Sequence, residues 1–447
     1  AAPPAEFPRR IAEFAATLAP GEWITGGDWD HELWPGAPLP DRSWIDSVTP
    51  RNPVFVSRLD GHMALANSAA LAAAGVDDRI APIPGGEIVR RPGGALTGVL
   101  KDEAMGAVGR AMPAPSASQL DSALARALRH AASLGVTSIA SMSSSWDDIA
   151  ALRRARARGD LTARVASYLP LGEWRAAAES LRINGPGDDW LRVAGVKGFV
   201  DGSLGSTTAW FDEPYSDAPK TAGFLTTPED SLRAWITAAD SAGLQVVVHA
   251  IGDRANGLLL DLFDEAARKN GARDRRFRIE HAQHLRRSDV PRFAELGVIP
   301  SVQPYHAADD GRWAEKRIGP VRIKTTYPFR SLIDAKARPV FGSDWTVAPL
   351  DPLLGLEAAV TRQTIDGRQP GGFVPEEKIS VEEGLRAYTV DNAFAIFQDR
   401  VVGRLALGMK ADLVVFDRDL LTVAPDSIAE VRVATTVVGG RIVYRKP

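Results

Sequence analysis

Short apolar runs alternate with longer amphipathic stretches along the chain from residue 117 to residue 343. Apolar residues that recur every three or four positions indicate helices, and short β-branched runs bounded by turn residues indicate buried strands. The clearest predicted helices are 118–134, 146–158 and 172–183. The predicted strands are 137–140, 164–169, 193–200, 245–249, 277–281, 298–303 and 339–343. Because helices separate these strands, we predict parallel pairing through right-handed crossovers, as in an α/β barrel whose eighth strand lies upstream.

The N-terminal part of the chain follows another pattern. Residues 5–18 have the periodicity of a helix. The Gly-, Pro- and Trp-rich stretch that follows contains a predicted strand at 54–57 and a short Ala-rich helix at 64–74. We interpret residues 20–113 as an insertion that covers the mouth of the barrel, because long irregular connections are uncommon unless they serve a function.

The C-terminal end changes pattern again. After residue 397, short β runs are joined by Gly turns with no helix between them. Gly439-Gly440 separates two of these runs, which is typical of a tight hairpin. We therefore predict a barrel domain over residues 1–397 and the C-terminal part of a small β-domain over residues 398–447.

The composition excludes several classes of protein. The 447 residues are 45% hydrophobic and 24% charged with a net charge of −3, so we expect neither a nucleic-acid partner nor an anionic membrane surface. The absence of cysteine excludes disulfides, thiolate ligands and a cysteine nucleophile. No apolar run is long enough for a transmembrane helix. We expect a cytoplasmic protein, although the chain begins without Met and a removed signal stays open, and a homodimer is the default assembly.

Polar side chains end three of the predicted strands. His249 follows three valines, His281 ends the next strand, and Asp344 follows the last. Such strand ends meet at one mouth of a barrel, and imidazole and carboxylate groups are metal-ligand types. Asp344 is suited to take a proton from metal-bound water. The alternatives are core histidines bonded to the backbone and a helix N-cap at Asp344, which the Pro-broken segment after it disfavours. His284, three residues after His281, is expected to face solvent.

Lys197 lies within the apolar strand 193–200, where an unpaired ammonium is costly. A salt bridge to Asp201 or Asp344 is one explanation. The other is reaction of the amine with carbon dioxide, which gives a carbamate that bridges metal ions. The sequence does not separate the two.

Further residues are candidates for a substrate pocket. Asp60 and His62 lie in the insertion, Asp201 follows the strand of Lys197, and His306 and Trp345 follow the last two predicted strands. For the insertion residues a surface turn is an equal alternative, and a tryptophan is more often a packing residue.

Taken together, these motifs resemble the amidohydrolase superfamily, in particular its YtcJ-like branch, which includes N-substituted formamide deformylases. The matching segments are 26–30, 58–62, 196–203, 249–253, 279–283, 301–304, 342–345 and 408–415. The resemblance implies a (β/α)8 TIM-type barrel with a composite β-sandwich. It also implies one or two divalent metal ions, usually zinc, and hydrolysis of an amide or formamide-like C–N bond of a small substrate by metal-activated hydroxide.

The same resemblance implies roles for particular residues. Lys197, carbamylated, would match the ligand on the fourth barrel strand, and His249 and His281 those on the fifth and sixth. Asp344 would match the eighth-strand residue that binds metal and shuttles protons.

One family motif is missing. Members carry His-X-His on the first barrel strand, and this chain contains no such motif. We expect that an N-terminal segment, or a separate chain, carries the first strand and completes the barrel, and that the remaining ligands suffice for one ion. The alternatives are a metal-poor, non-catalytic binding protein on the same scaffold, and a lyase or isomerase that uses the same ligands.

Overall fold

The computed structural model describes residues 5–447, which form two compact units. The first unit runs to Ala114 and includes Asp201–Pro228, and the second contains Pro115–Val200 and Glu229–Pro447. The sequence did not predict that Asp201–Pro228 belongs with the N-terminal part. The predicted boundary at residue 397 falls inside the second unit, and the division into domains stays a prediction. Within residues 5–447, no helix is both long enough and apolar enough to span a bilayer.

The first unit is built on a five-stranded sheet with the strand order β1-β2-β3-β5-β4. Its strands are β1 (Ile24–Trp29), β2 (Val54–Arg58), β3 (Met63–Ala66), β4 (Gly86–Arg90) and β5 (Leu96–Asp102). Only β1 and β2 pair in parallel. The helices of this unit are α1 (Glu6–Ala15), α2 (Ser68–Ala73) and α3 (Gly106–Gly109). The predicted insertion is therefore an ordered sheet structure rather than a loop.

The predicted helix at 64–74 is wrong for its first third. All four residues of β3 are buried and pair with β2 and β5, so tertiary packing overrides the helix preference of the alanines. The helix begins only after Asn67, whose side chain accepts a hydrogen bond from the Ala70 N–H and caps α2. The predicted strand at 54–57 is confirmed as β2.

The second unit contains a seven-stranded parallel sheet in which spatial order follows chain order. Its strands are β6 (Ser138–Ser141), β7 (Arg164–Pro170), β8 (Leu191–Phe199), β9 (Gln245–Ala250), β10 (Arg278–His281), β11 (Ile299–Val302) and β12 (Val340–Phe341). Each matches a predicted strand, so this part of the prediction is confirmed. The order is that of a half-barrel with β6 and β12 at its edges, and a closed eight-stranded barrel stays a prediction.

The second unit also contains helices before, between and after these strands. They are α4 (Ala117–Ser133), α5 (Trp146–Arg158), α6 (Trp174–Asn184), α7 (Glu229–Ser241), α8 (Asp253–Asn270), α9 (Val290–Leu296), α10 (Pro304–Asp310), α11 (Ala314–Arg322), α12 (Phe329–Asp334), α13 (Pro352–Thr361), α14 (Val381–Tyr388) and α15 (Val390–Ala395). Capping boxes at Ser116 and Ser145 start α4 and α5 where the sequence predicts them.

Three antiparallel strands end the chain, β13 (Leu413–Phe416), β14 (Val433–Val438) and β15 (Arg441–Arg445). Gly439 and Gly440 both have positive φ, as a two-residue hairpin turn requires. The buried ion pair of Arg164 with Asp412 ties the start of β7 to the residue before β13. These strands lie within the second unit, and a composite β-sandwich stays a prediction.

Candidate metal centre

His249 and His281 lie side by side because β9 and β10 pair in parallel with Ala250 opposite His281. The centroids of their rings are 4.5 Å apart and the ring planes are inclined by 72°. His249 is buried, and the Phe199 ring at the end of β8 lies 5.3 Å from it. The parallel register thus brings together the two histidines that the sequence singled out.

His306 and Asp344 lie close to His281. Each of the three residues offers a ligand atom, and these atoms all lie within 4.8 Å of one another. His306 Nε2 is 4.0 Å from Asp344 Oδ2, and the His281 and His306 rings are nearly parallel with centroids 6.2 Å apart. The Asp344 side chain is 39% exposed, so water reaches it. Both His281 and Asp344 have positive φ, a conformation that non-glycine residues seldom adopt and that recurs at functional sites.

Lys197 lies on β8 and is buried. Its Nζ donates a hydrogen bond to the Gly198 carbonyl at 3.1 Å and lies 3.6 Å from the centroid of the Phe199 ring. This cation–π contact stabilises a charged lysine in the sheet. The same Phe199 ring borders His249, so Lys197 lies near the histidine pair.

Gln303 fixes the orientation of His281. Its Oε1 lies 2.8 Å from His281 Nδ1 and its Nε2 donates to the Ser301 carbonyl. Because an amide oxygen only accepts, His281 Nδ1 carries the proton and Nε2 keeps its lone pair. The sequence analysis included Gln303 in a predicted strand and in a segment that matches the family, but it did not predict the contact with His281.

His281 is held in its neutral form. Burial, together with the charges of His249, Lys197 and His306, holds the pKa of His281 well below its ordinary value, against the opposing effect of Asp344. A neutral imidazole is the form that binds metal ions. The site therefore presents a ligand-ready imidazole at the end of β10.

The residues present fit a divalent cation. Two imidazoles and a carboxylate suit zinc and similar ions. Donors bonded to one ion at about 2.0–2.1 Å lie at most about 4.2 Å apart. The 4.0 Å between His306 Nε2 and Asp344 Oδ2 is within that limit. The widest pair, at no more than 4.8 Å, needs a movement of well under about 1 Å toward a common ion.

Three of the predicted pocket residues lie in the first unit, where a second polar cluster forms. His62 Nδ1 donates to Asp102 Oδ1 at 2.6 Å, and Asp60 accepts hydrogen bonds from Arg58 Nη1 and Ser203 Oγ, both at 2.5 Å. Asp201 Oδ2 accepts from the Trp210 N–H at 2.8 Å. Sequence reasoning missed Asp102 and Arg58.

The charges in this cluster reinforce one another. Burial opposes the charge on His62, but the hydrogen bond to Asp102 and the charges of Asp102, Asp60 and Asp201 outweigh it and raise the pKa of His62. Burial likewise opposes ionisation of Asp60, and Arg58 and His62 nevertheless lower the pKa of Asp60 to about 2. His62 is thus held toward its charged form.

Two other residues for which the sequence analysis made a prediction, Trp345 and His284, lie in the second unit. Trp345 is 45% exposed, with its ring 5.7 Å from that of His130 on α4. The expectation that His284 faces solvent is wrong. Its side chain is buried, Nδ1 donates to Thr326 Oγ1 at 2.9 Å, and the backbone forms a β-bridge with Thr326. A β-bridge replaces the helical turn that the expectation assumed.

Comparisons with known proteins agree with these features. Protein LONG AFTER FAR-RED 3 of Arabidopsis thaliana is 38% identical over 98% of this chain and 77% of that protein. Putative amidohydrolase YtcJ of Bacillus subtilis is 30% identical over 96% and 81%. N-substituted formamide deformylase of Arthrobacter pascens is 26% identical over 98% and 81%. The resemblance to the YtcJ-like branch is thereby confirmed.

Among solved structures, an uncharacterised metal-dependent hydrolase from Pyrococcus horikoshii superposes with a TM-score of 0.74 at 28% identity. The match covers 94% of this chain and 85% of that one. These similarities support the conclusion that this chain is a hydrolase. The sequence profile of the Amidohydrolase family matches residues 2–444, and the chain therefore belongs to the Amidohydrolase family.

Proposed function

We propose that this protein is a metal-dependent amidohydrolase that hydrolyses an amide or formamide-like C–N bond of a small substrate. Two observations carry the proposal: His249 lies beside His281 at the ends of paired parallel strands, and ligand atoms of His281, His306 and Asp344 lie within 4.8 Å of one another. Lys197 lies close enough to influence the pKa of His281. The names of two similar proteins, a metal-dependent hydrolase and an N-substituted formamide deformylase, support the reaction class.

The proposed ligands are Lys197, His249, His281 and Asp344. When bound, a divalent cation such as zinc lowers the pKa of a water molecule and polarises the carbonyl group of the substrate. Gln303 keeps the proton of the His281 ring on Nδ1, so the lone pair is on Nε2. Lys197 would contribute a ligand only after it loses its charge. The ammonium would first release a proton, and the neutral amine would then add carbon dioxide and release a second proton to give a carbamate.

Asp344 is the proposed proton carrier. Its exposed carboxylate accepts a proton from the attacking water and returns it to the departing nitrogen, first as general base and then as general acid. Trp345, next in sequence and also exposed, is a proposed substrate contact. Substrate roles for Asp60, His62 and Asp201 in the first unit stay predictions.

The test replaces Asp344 with Asn and measures hydrolysis of a panel of N-substituted formamides and small secondary amides. We expect turnover to be abolished while metal content stays mostly intact, because the amide oxygen of Asn still binds a cation but accepts no proton. Asp160→Asn, at an exposed position in the second unit, is the matched control. Full activity of Asp344→Asn would remove the mechanism.

A second candidate function is a metal-poor binding protein on the same scaffold. The cation–π contact of Lys197 with the Phe199 ring, which keeps a positive charge close to His281, favours it. Metal analysis of the purified protein separates the two, because bound zinc supports the enzyme and a metal-free protein without hydrolytic activity supports the binder.

A further inference from the structure

We propose that His306 is an additional metal ligand, which forms a three-residue group with His281 and Asp344. The proposal rests on the proposed function, because the same divalent cation occupies the site. It assigns a ligand on the element after β11, beyond the set that the family resemblance implies. It also replaces the sequence interpretation of His306 as a substrate contact.

One short turn places both imidazoles. Gln303 follows β11, and its side chain accepts from His281 Nδ1. The backbone carbonyl of the same residue accepts from the His306 N–H at 3.1 Å. Pro304 opens α10, so His306 is the third residue of that helix. Gln303 thus orients the His281 ring through its side chain and holds the His306 backbone on the same turn.

The spacing favours a cation over a direct contact. His306 Nε2 and Asp344 Oδ2 are 4.0 Å apart, beyond the 2.7–3.2 Å, roughly, of a hydrogen bond. The same spacing is close to the upper limit of about 4.2 Å for two donors that share an ion. The His281 and His306 rings are nearly parallel, inclined by 16°, with centroids 6.2 Å apart. Two imidazoles and a carboxylate whose ligand atoms lie within 4.8 Å of one another match two-histidine, one-carboxylate ligation of an ion.

The burial of the three residues agrees with this arrangement. The His306 side chain is 14% exposed and the Asp344 side chain 39%. Such a site would hold a cation on mostly buried nitrogen donors and leave its carboxylate side open to water and substrate. A catalytic ion needs such an open position, whereas a structural ion is enclosed.

The experiment measures metal affinity, independently of activity. Wild-type protein and the variants His306→Ala and His306→Gln are stripped of metal, and the Kd for Zn²⁺ and Co²⁺ is determined by competition with a chelator. The absorption spectrum of bound Co²⁺ reports the ligand set. Loss of an outer-shell partner weakens binding by about 10–100-fold, so we expect loss of a ligand to weaken it by on the order of 100-fold or more and to change the Co²⁺ spectrum.

Two further variants sharpen the result. His130→Ala removes an exposed imidazole of the second unit and should leave Kd unchanged. His306→Asp supplies a carboxylate donor in place of the imidazole, so this variant should bind metal more tightly than His306→Ala. If the alanine variant folds poorly, the comparison of His306→Gln with His306→Asp carries the test, since both keep a polar side chain.

The outcomes separate this proposal from the proposed function. An unchanged Kd and Co²⁺ spectrum in both His306→Ala and His306→Gln would overturn the assignment of His306, even if the wild type hydrolyses amides. A changed KM with an unchanged Kd would also overturn it, because His306 would then contact substrate only. Metal binding that depends on His306 without hydrolysis by the wild type would support the ligand and refute the enzyme.

Discussion

His284 makes the second unit sensitive to acid. Its buried ring donates from Nδ1 to Thr326 Oγ1, and its Nε2 lies 3.1 Å from the side-chain nitrogen of Gln283. An amide nitrogen only donates, so Nε2 accepts and the ring is neutral. Protonation of His284 Nε2 would place its N–H against the N–H donors of the Gln283 amide. Burial, assisted by the charge of Arg322, lowers the pKa of His284 from 6.5 to about 3.

The magnitude follows from the difference between the folded and unfolded pKa values. The folded pKa is the lower one, so the unfolded chain binds the proton more tightly. The stabilisation is therefore complete above pH 6.5 and declines as the pH falls toward 3. Between pH 7 and pH 5 the free energy of unfolding should fall by about 2 kcal/mol from this residue alone. For a unit of roughly 300 residues, this corresponds to a decrease in Tm of about 3 °C.

The assay compares Tm at pH 7 and pH 5 for wild type and His284→Gln. Glutamine keeps an acceptor for Gln283 but does not titrate, so its Tm should fall by about 3 °C less than that of the wild type over this interval. His130→Gln, which removes an exposed histidine, should behave as the wild type does. An equal fall in wild type and His284→Gln, with both folded at pH 7, would refute the account of a buried neutral ring.

Two further predictions concern ion pairs of buried side chains. Asp102→Asn should lower the pKa of His62 measured by NMR titration. Because the pKa of His62 is raised in the folded protein, its ion pair stabilises the fold at low pH, and this stabilisation is lost as the pH rises through the folded pKa. The stabilisation should be smaller in Asp102→Asn. An unchanged pKa of His62 in this variant would contradict the prediction. Arg278→Leu leaves Glu280 buried without its ion pair and should cost about 3–5 kcal/mol in thermal unfolding, whereas replacing both residues with Leu should recover most of that loss. A double variant no more stable than the single one would contradict the second prediction.

The parallel sheet could be predicted from the sequence because its strands are nearly unambiguous. After Gln245, the run that forms β9 is apolar up to its histidine and lies between helix-sized stretches, so periodicity and length agree. The strands of the first unit were harder to predict from the sequence. The strands β4 and β5 are only partly apolar, and each contains a glycine. The pairing of β5 with β3 and β4 depends on tertiary contacts that no local pattern encodes.

The candidate site was predictable only where a strand end marks it. His249, His281 and Asp344 could be found in this way. The partners that orient side chains could not, because Gln303 lies 22 residues from His281 and Asp102 lies 40 residues from His62. Those pairings arise from the register of neighbouring strands and from sheet packing, which a single sequence does not specify.

Lys197 shows why its two explanations could not be separated from the sequence. As an ammonium it is satisfied by the Phe199 ring and the Gly198 carbonyl, and its charge helps to lower the pKa of His281. That same charge opposes a divalent cation bound to His281, because two positive charges repel strongly in a buried site. Under the proposed function, a cation there would bind more readily once Lys197 loses its charge, and carbamylation would both remove the positive charge and supply a negative one. The cation–π contact and the carbamate would then be alternative states of one residue, and binding of a cation would favour the carbamate.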